Sequence, residues 1–297
     1  MPDCRFWIVT PSYKSLHWLP CAVASVADQV GNGIAVHHHV QDGGSDDGTR
    51  EWLEAYARQC ADSPRAGYTF SFESAPDAGM YDAINKGWSR APQGTDFLGH
   101  LNSDEQYLPG ALQAVAQTAQ AQPAADLVLG DALVVDAQGH YICHQSSVKP
   151  WAWMSRYFCI VLTCTAFYRP GLLAESGVRF DPSWRILGDV IFYRHLFRHR
   201  VRVKLCNQPT SVFVDSGENM ATGPGTPEEL ARYAREYKRR FAGLARWVRR
   251  VNTLRRLWKD MRRGLSRSFR LYLPNAIFQR STFEIARPTS LWRRRMT

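Results

Sequence analysis

The sequence predicts an α/β domain with a doubly wound, mostly parallel sheet, followed by a basic helical extension. Three observations predict it. Short apolar runs and amphipathic stretches alternate four times between residues 5 and 120, the order of parallel strands joined by right-handed helical crossovers. Polar, glycine-bearing clusters at 41–49, 77–87 and 102–105 each stand where an apolar run stops. From residue 226 onward, a helix-period pattern carries a large excess of Lys and Arg.

The elements follow in order. Residues 5–10 predict a first strand, because Phe6, Trp7, Ile8 and Val9 are an unbroken apolar run, as in a strand buried on both faces. A helix over 15–29 has apolar residues at 19, 22, 23 and 26, the spacing of a single helical face. Residues 34–40 make a second strand and 49–60 a second helix, with Asp46-Asp47-Gly48-Thr49 supplying capping oxygens at its start. Residues 68–73 form a third strand, 80–91 a third helix and 96–101 a fourth strand; a helix over 109–120 and a strand at 127–129 continue the series. Beyond Asp131 the pattern loosens into a hairpin at 134–142, a helix at 188–199 and a strand at 201–205.

At 297 residues, 45% hydrophobic and 12% aromatic, the chain has enough apolar material for a substantial core. Its seven cysteines form no close pair, which argues against a zinc site or a disulfide framework and for reduced buried thiols. No internal repeat or low-complexity segment is present. The first residues lack the form of a signal peptide, and the apolar-looking stretch 151–168 contains Arg156 and several polar residues, too broken for a spanning helix of about 20 residues. The expected location is the cytoplasm.

Charge divides the chain. Residues 230–297 carry 20 Lys/Arg against Glu236, Asp260 and Glu284, a net of +17, which leaves −7 for residues 1–229 of a chain at +10. The junction is Thr226-Pro227-Glu228-Glu229, which fits a capping box with proline at the first helical position. Apolar residues then recur at 230, 233, 237, 241, 244, 247, 248, 251, 254, 257, 258, 261 and 265. Those steps predict one amphipathic helix, or two with a break near Gly243, with Lys238, Arg239 and Arg240 among the basic face. The expected organisation is a catalytic-type domain at 1–225 and a basic amphipathic extension at 226–297.

In an open α/β sheet, ligands gather at the carboxyl ends of the strands, so the three clusters converge on one crevice. Acidic side chains there, in an otherwise basic protein, suggest a phosphate ligand bridged by a metal. Val9-Thr10-Pro11-Ser12-Tyr13, Asp42-Gly43-Gly44-Ser45-Asp46-Asp47-Gly48-Thr49, the run from Asp77 to Gly87 and Leu101-Asn102-Ser103-Asp104-Glu105 together resemble the ordered motifs of the inverting nucleotide-sugar glycosyltransferases of the GT-A, Rossmann-like fold. Many members build exopolysaccharide, capsule or lipopolysaccharide. The likeness covers residues 5–215 and leaves the tail out.

The resemblance implies roles. Thr10, Pro11, Ser12 and Tyr13 would hold the nucleobase of the donor, and Asp42 would accept a base N–H, typically from uracil, with Gly44 beside it. The alternative is a turn whose acids cap the next helix. Asn102-Ser103-Asp104 occupies the place of the family's D-x-D signature: Asp104 corresponds to the metal-ligating aspartate for Mg²⁺ or Mn²⁺, while Asn102 replaces the first aspartate. Ser103 would join Asn102 on the donor. Asp77, Asn85 and Lys86 would also contact the donor, although Asp82 and Lys86, four apart, could simply pair on the helix surface. Ile84 stands where many relatives have Arg, so no phosphate contact is expected there. Gly188-Asp189 resembles the element whose aspartate is the general base; Asp189 could also cap a helix. His37, His38 and His39 alternate in a strand, an arrangement that does not favour a metal cluster.

The expected function is metal-dependent transfer of a sugar, UDP-linked, to a saccharide or lipid-linked acceptor in cell-surface polysaccharide synthesis. The alternative is a non-catalytic nucleotide-sugar binder or scaffold. For the tail, Trp247, Trp258, Phe269 and Trp292 among arginines suit an anionic membrane surface, which would make the protein peripheral at the inner face of the cell membrane. A helix packed on the domain is the competing reading, and nucleic-acid binding a third, not expected.

Overall fold

The computed structural model describes residues 3–151, 153, 161–215, 225–237 and 242–292. Lys238, Arg239, Arg240, Phe241 and Arg156 lie outside them.

One mixed sheet organises the chain. Its order is β3-β2-β1-β4-β8-β6-β9-β5, with β7 added beside β6. β1 (Cys4–Ser12) lies parallel to β2 (Ile34–Asp42) on one side and to β4 (Phe97–His100) on the other. β2 continues parallel to β3 (Tyr68–Ser74). The chain therefore reverses its direction of winding at β1 and opens a crevice beyond the ends of β1 and β4, where such sheets bind ligands. On one face α1 (Leu19–Ala27) and α4 (Ala111–Ala121) cover Phe6, Ile8, Phe97 and Val128. On the other, α3 (Met80–Ser89) and α6 (Gly188–Leu196) cover Trp7, Val9, Leu98 and Leu129. Burial on both faces is why β1 is apolar throughout. α2 (Thr49–Asp62) flanks β3 with Leu53 buried. α3 lies close because Gly87 faces Val9; a Cβ there would come within 2.5 Å of Val9 Cγ1.

The second half departs from the expected strand–helix series. β6 (Leu127–Asp136) runs much further than 127–129 and turns into β7 (Tyr141–Gln145), the expected hairpin. β9 (Val203–Asp215) extends beyond 205 to pair with β6 and with the short β5 (Gln106–Tyr107). β8 (Ala166–Tyr168) and α5 (Pro170–Ser176) were not anticipated; three-residue strands and single-face helices leave little periodicity to read. Every described cysteine is free, and Cys4, Cys21, Cys143 and Cys164 are buried.

The extension is not wholly helical. α7 (Thr226–Glu236) and α8 (Ala242–Arg263) realise the break expected near Gly243, and then β10 (Ser268–Leu273) and β11 (Ala276–Glu284) form an antiparallel hairpin. Phe269, Leu271 and Ile285 are buried against Leu133, Val212 and Val214 of the sheet, so this part completes the core. α7 also packs inward, Tyr233 joining Trp184 and Ile191. The expected capping box does not form. The N-cap is Gly225, without a side-chain cap, and Glu229 is turned elsewhere.

α8 is oriented against its amphipathic pattern. Its inward side is largely polar: Lys259 Nζ pairs with the buried Asp131 at 2.7 Å and donates to Ser147 O at 2.9 Å, Asp260 accepts from Ser146 and Ser290, and Arg256 donates to Gln145. Trp247, Leu254, Trp258 and Met261 stay 49–82% exposed. At 100° per residue these four fall on a single stripe, flanked by the exposed Arg246, Arg250 and Arg262. Among the described residues no helix is long and apolar enough to cross a membrane.

Candidate active site

The ends of β1, β2 and β3 meet at Gly43. Its amide donates to Ser12 O at 2.8 Å, and a Cβ added there would sit 3.3 Å from both Asp77 Oδ2 and Tyr13 Cδ2. Three segments far apart in sequence thus share one wall. Gly44 follows at φ +82°, a left-handed conformation that favours glycine.

Within that wall the expected residues divide. Tyr13 is 62% exposed, its ring open for stacking, with Lys14 Nζ 5.6 Å from its centroid. Pro11 is buried at the strand end, and Ser12 Oγ pairs with Ser15 Oγ at 2.9 Å. Thr10 is buried, and its hydroxyl pairs with His38 Nε2 at 2.8 Å. Asp42 is fully buried, and its carboxylate accepts from Gly44 N, Ser45 N and Ser74 Oγ on Oδ2 and from Ser45 Oγ on Oδ1, at 2.6–3.2 Å. It braces the loop, and Oδ1 keeps a further acceptor position. Asp47 serves α2, accepting from Thr49 N and Oγ1.

Beyond β3, Asp77 is half-buried, accepts from Gly79 N at 2.8 Å, and burial raises its pKa. Lys86 pairs with Asp82 at 2.9 Å, so the surface ion pair is its role here. Asn85 is not turned to a donor either: its Nδ2 donates to Phe180 O at 2.8 Å and its Oδ1 accepts from Phe180 N at 3.2 Å. It laces α3 to the segment leading into α6. Residues 95 apart in sequence leave no local signal of such a bond.

At the end of β4 the chain turns through Asn102, Ser103 and Asp104. Glu105 N donates to Asn102 O at 3.0 Å and Asn102 N donates to Glu105 Oε2 at 2.9 Å. Glu105 is buried behind the turn. Burial, and then the Asp104 carboxylate, hold its pKa well above the ordinary glutamate range. Burial also raises Asp104. Asn102 Oδ1 is buried without a hydrogen-bond partner, and an orphaned acceptor is costly unless something meets it. A hard cation suits that oxygen and the Asp104 carboxylate. Among the described residues no three His, Cys, Asp or Glu gather as a complete metal cage, so a ligand's oxygens would have to complete such a shell.

Asp189 stands in the first turn of α6, half-buried, and burial pushes its carboxyl up to about 6. Its Oδ1 accepts from Val190 N at 2.6 Å, so it also serves the helix start. Gly188 before it lies on Tyr81 of α3, where a Cβ would come within 2.4 Å of the ring. That contact ties Asp189 to the helix that begins beside Asp77. In the histidine strand burial pushes His37 down to about 4 and His38 to about 3 and lowers His39, and His37 stacks on Trp7 at 4.0 Å.

A sheet that switches direction above polar strand ends has the architecture of the GT-A fold. Residues 7–161 match glycosyl transferase family 2, and the chain belongs to that family. No curated protein matches its sequence. Among solved structures the fold is similar to S. aureus TarS 1-349 in complex with UDP-GlcNAc, with a TM-score of 0.59 at 18% identity over 78% of this chain and 65% of that one. It is also similar to the same protein in complex with UDP, with a TM-score of 0.53 at 17% identity, covering 72% and 62%. The chain thus spans just under two thirds of the length of these structures.

Proposed function

We propose that this chain transfers a sugar with inversion from a nucleotide-sugar donor, a UDP-sugar, to a hydroxyl of a saccharide or lipid-linked acceptor in cell-surface polysaccharide synthesis. The observation that carries the proposal is the convergence of Tyr13, Gly43 and Asp77 at the strand ends, with the Asn102–Asp104 turn following β4, the strand paired with β1. That the similar folds hold UDP and UDP-GlcNAc supports the choice of donor.

Tyr13 stacks on the base while the Asp42-braced loop and Asp77 line the donor. Asp104 and Asn102 Oδ1 would hold Mg²⁺ or Mn²⁺, which when bound would supply Lewis-acid stabilisation of the diphosphate leaving group. Glu105 braces the turn through its bonds to the Asn102 backbone. Asp189 takes the acceptor hydroxyl proton as the new C–O bond forms on the face opposite the departing diphosphate. The test is release of free nucleotide from a donor panel, with and without Mn²⁺ and acceptor. No donor turning over, while UDP still raises the melting temperature, would favour the non-catalytic binder.

The exposed stripe of α8 belongs to the same reading. Tryptophans amid arginines fit an anionic bilayer surface, at the inner face of the cell membrane, where a lipid-linked acceptor would lie. Trp151 and Trp153 extend the stripe, Trp153 stacking 6.1 Å from Trp247. Phosphatidylglycerol vesicles should sediment the full chain, and Trp258→Glu with Met261→Glu should abolish this without lowering the melting temperature. A full chain that ignores such vesicles would remove the membrane reading.

A further inference from the structure

The turn that delivers Asp189 is held from outside the catalytic sheet. α6 has no side-chain cap at Leu187. Instead, three successive backbone amides before the helix converge on one acceptor. Glu229 of α7 takes Arg185 N on Oε1 at 2.6 Å, and Ile186 N and Leu187 N on Oε2 at 3.0 and 2.9 Å. Consecutive amides around one anion make a nest, and hydrogen bonds to a carboxylate are the stronger kind. Arg232, three residues on, donates to Ser183 O at 2.7 Å and lies 3.9 Å over the Trp184 ring. One helix thus grips the turn along its whole length, while Tyr81 bears on Gly188 from the other side.

We propose that Glu229 is a positioning residue for the general base: by gathering the amides of 185–187 it sets the direction in which α6 starts and so aims the Asp189 carboxylate. The proposal rests on the assignment of Asp189 as base. It brings the basic extension into the reaction, since Glu229 lies well beyond the residues that match the family.

The test uses Glu229→Ala and Glu229→Gln in the full chain, alone and with Asp189→Asn. Glutamine keeps the shape but has a single acceptor oxygen and turns an NH₂ toward one of the amides. Transfer should slow by about 10–100-fold in the alanine variant, the scale of a misplacement near 1 Å, and by less in the glutamine variant. Donor KM and the donor-induced melting shift should stay at wild-type values, and amide exchange at 185–187 should accelerate. Because Glu229 acts through Asp189, the double variant should be no slower than Asp189→Asn alone, which a merely structural role would not produce. Additive losses, a donor KM rising in step with the fall in kcat, or wild-type turnover with accelerated exchange would each overturn the proposal. Should the alanine variant fail to fold, the glutamine variant carries the same comparison. Wild-type turnover in Asp189→Asn would instead sink the base assignment and the proposal with it, while faster exchange would still report the three-amide contact.

Discussion

Gly188→Ala tests the contact that sets where α6 begins. The new methyl would stand 2.4 and 2.5 Å from Cε2 and Cδ2 of Tyr81. Carbon atoms rest about 3.5–4.0 Å apart, so roughly 1.1–1.6 Å must open. Tyr81 has little room to yield: it is buried, stacks on Phe180 at 5.0 Å and donates to Ile186 O at 3.3 Å. The start of α6 must move instead, and Asp189 with it. Overpacking of this kind costs about 1–3 kcal/mol, and each kcal/mol should lower the melting temperature by about 2–4 °C in a chain of this size. A shift near 1 Å at the base should cost about 10²-fold in kcat. Initial rates of nucleotide release at saturating donor, beside melting curves with and without UDP, read both effects. A folded Gly188→Ala enzyme with wild-type kcat would refute the reasoning, because Asp189 would then not depend on where its helix starts.

The other expectations concern charge and the extension. Asp104→Ala should abolish Mn²⁺-dependent turnover without lowering the melting temperature, since burial already raises this carboxyl's pKa; retained turnover at saturating Mn²⁺ would count against the metal assignment. Asp189, at about 6 in the fold against about 4 in the open chain, must be ionised to act, so kcat should climb as pH rises through about 6. Its ionisation opposes folding, so its contribution to stability is greatest below about pH 4 and declines until pH passes 6. Asp189→Asn should remove that limb and cost about 10²–10⁴-fold in rate, as kcat–pH profiles would show. Lys259→Ala leaves Asp131 buried and unpaired and should cost about 3–5 kcal/mol in chemical denaturation. Truncation after Gly225 should yield an unfolded or aggregating chain, because it strips Tyr233, Val248, Phe269 and Leu271 from the core; a cooperative melt of the truncated chain would contradict this.

Much of the first half was legible because period and position carry it. The apolar run at Phe6–Val9, the clusters at the strand ends and the helix beginning near Gly188 follow from local pattern, and Tyr13 and Asp77 do meet at Gly43. What each polar group binds was not local. Thr10 turned to His38, Asn85 to the backbone of Phe180 and Glu229 to residues 185–187, bonds spanning 28 to 95 positions. Periodicity found both faces of α8 but not which one the body would cover. Only tertiary structure decided that, because the buried Asp131 and the serines at 146, 147 and 290 offer polar partners. A charged side chain can turn inward only where partners offset its desolvation, and here the tryptophan stripe is left facing out.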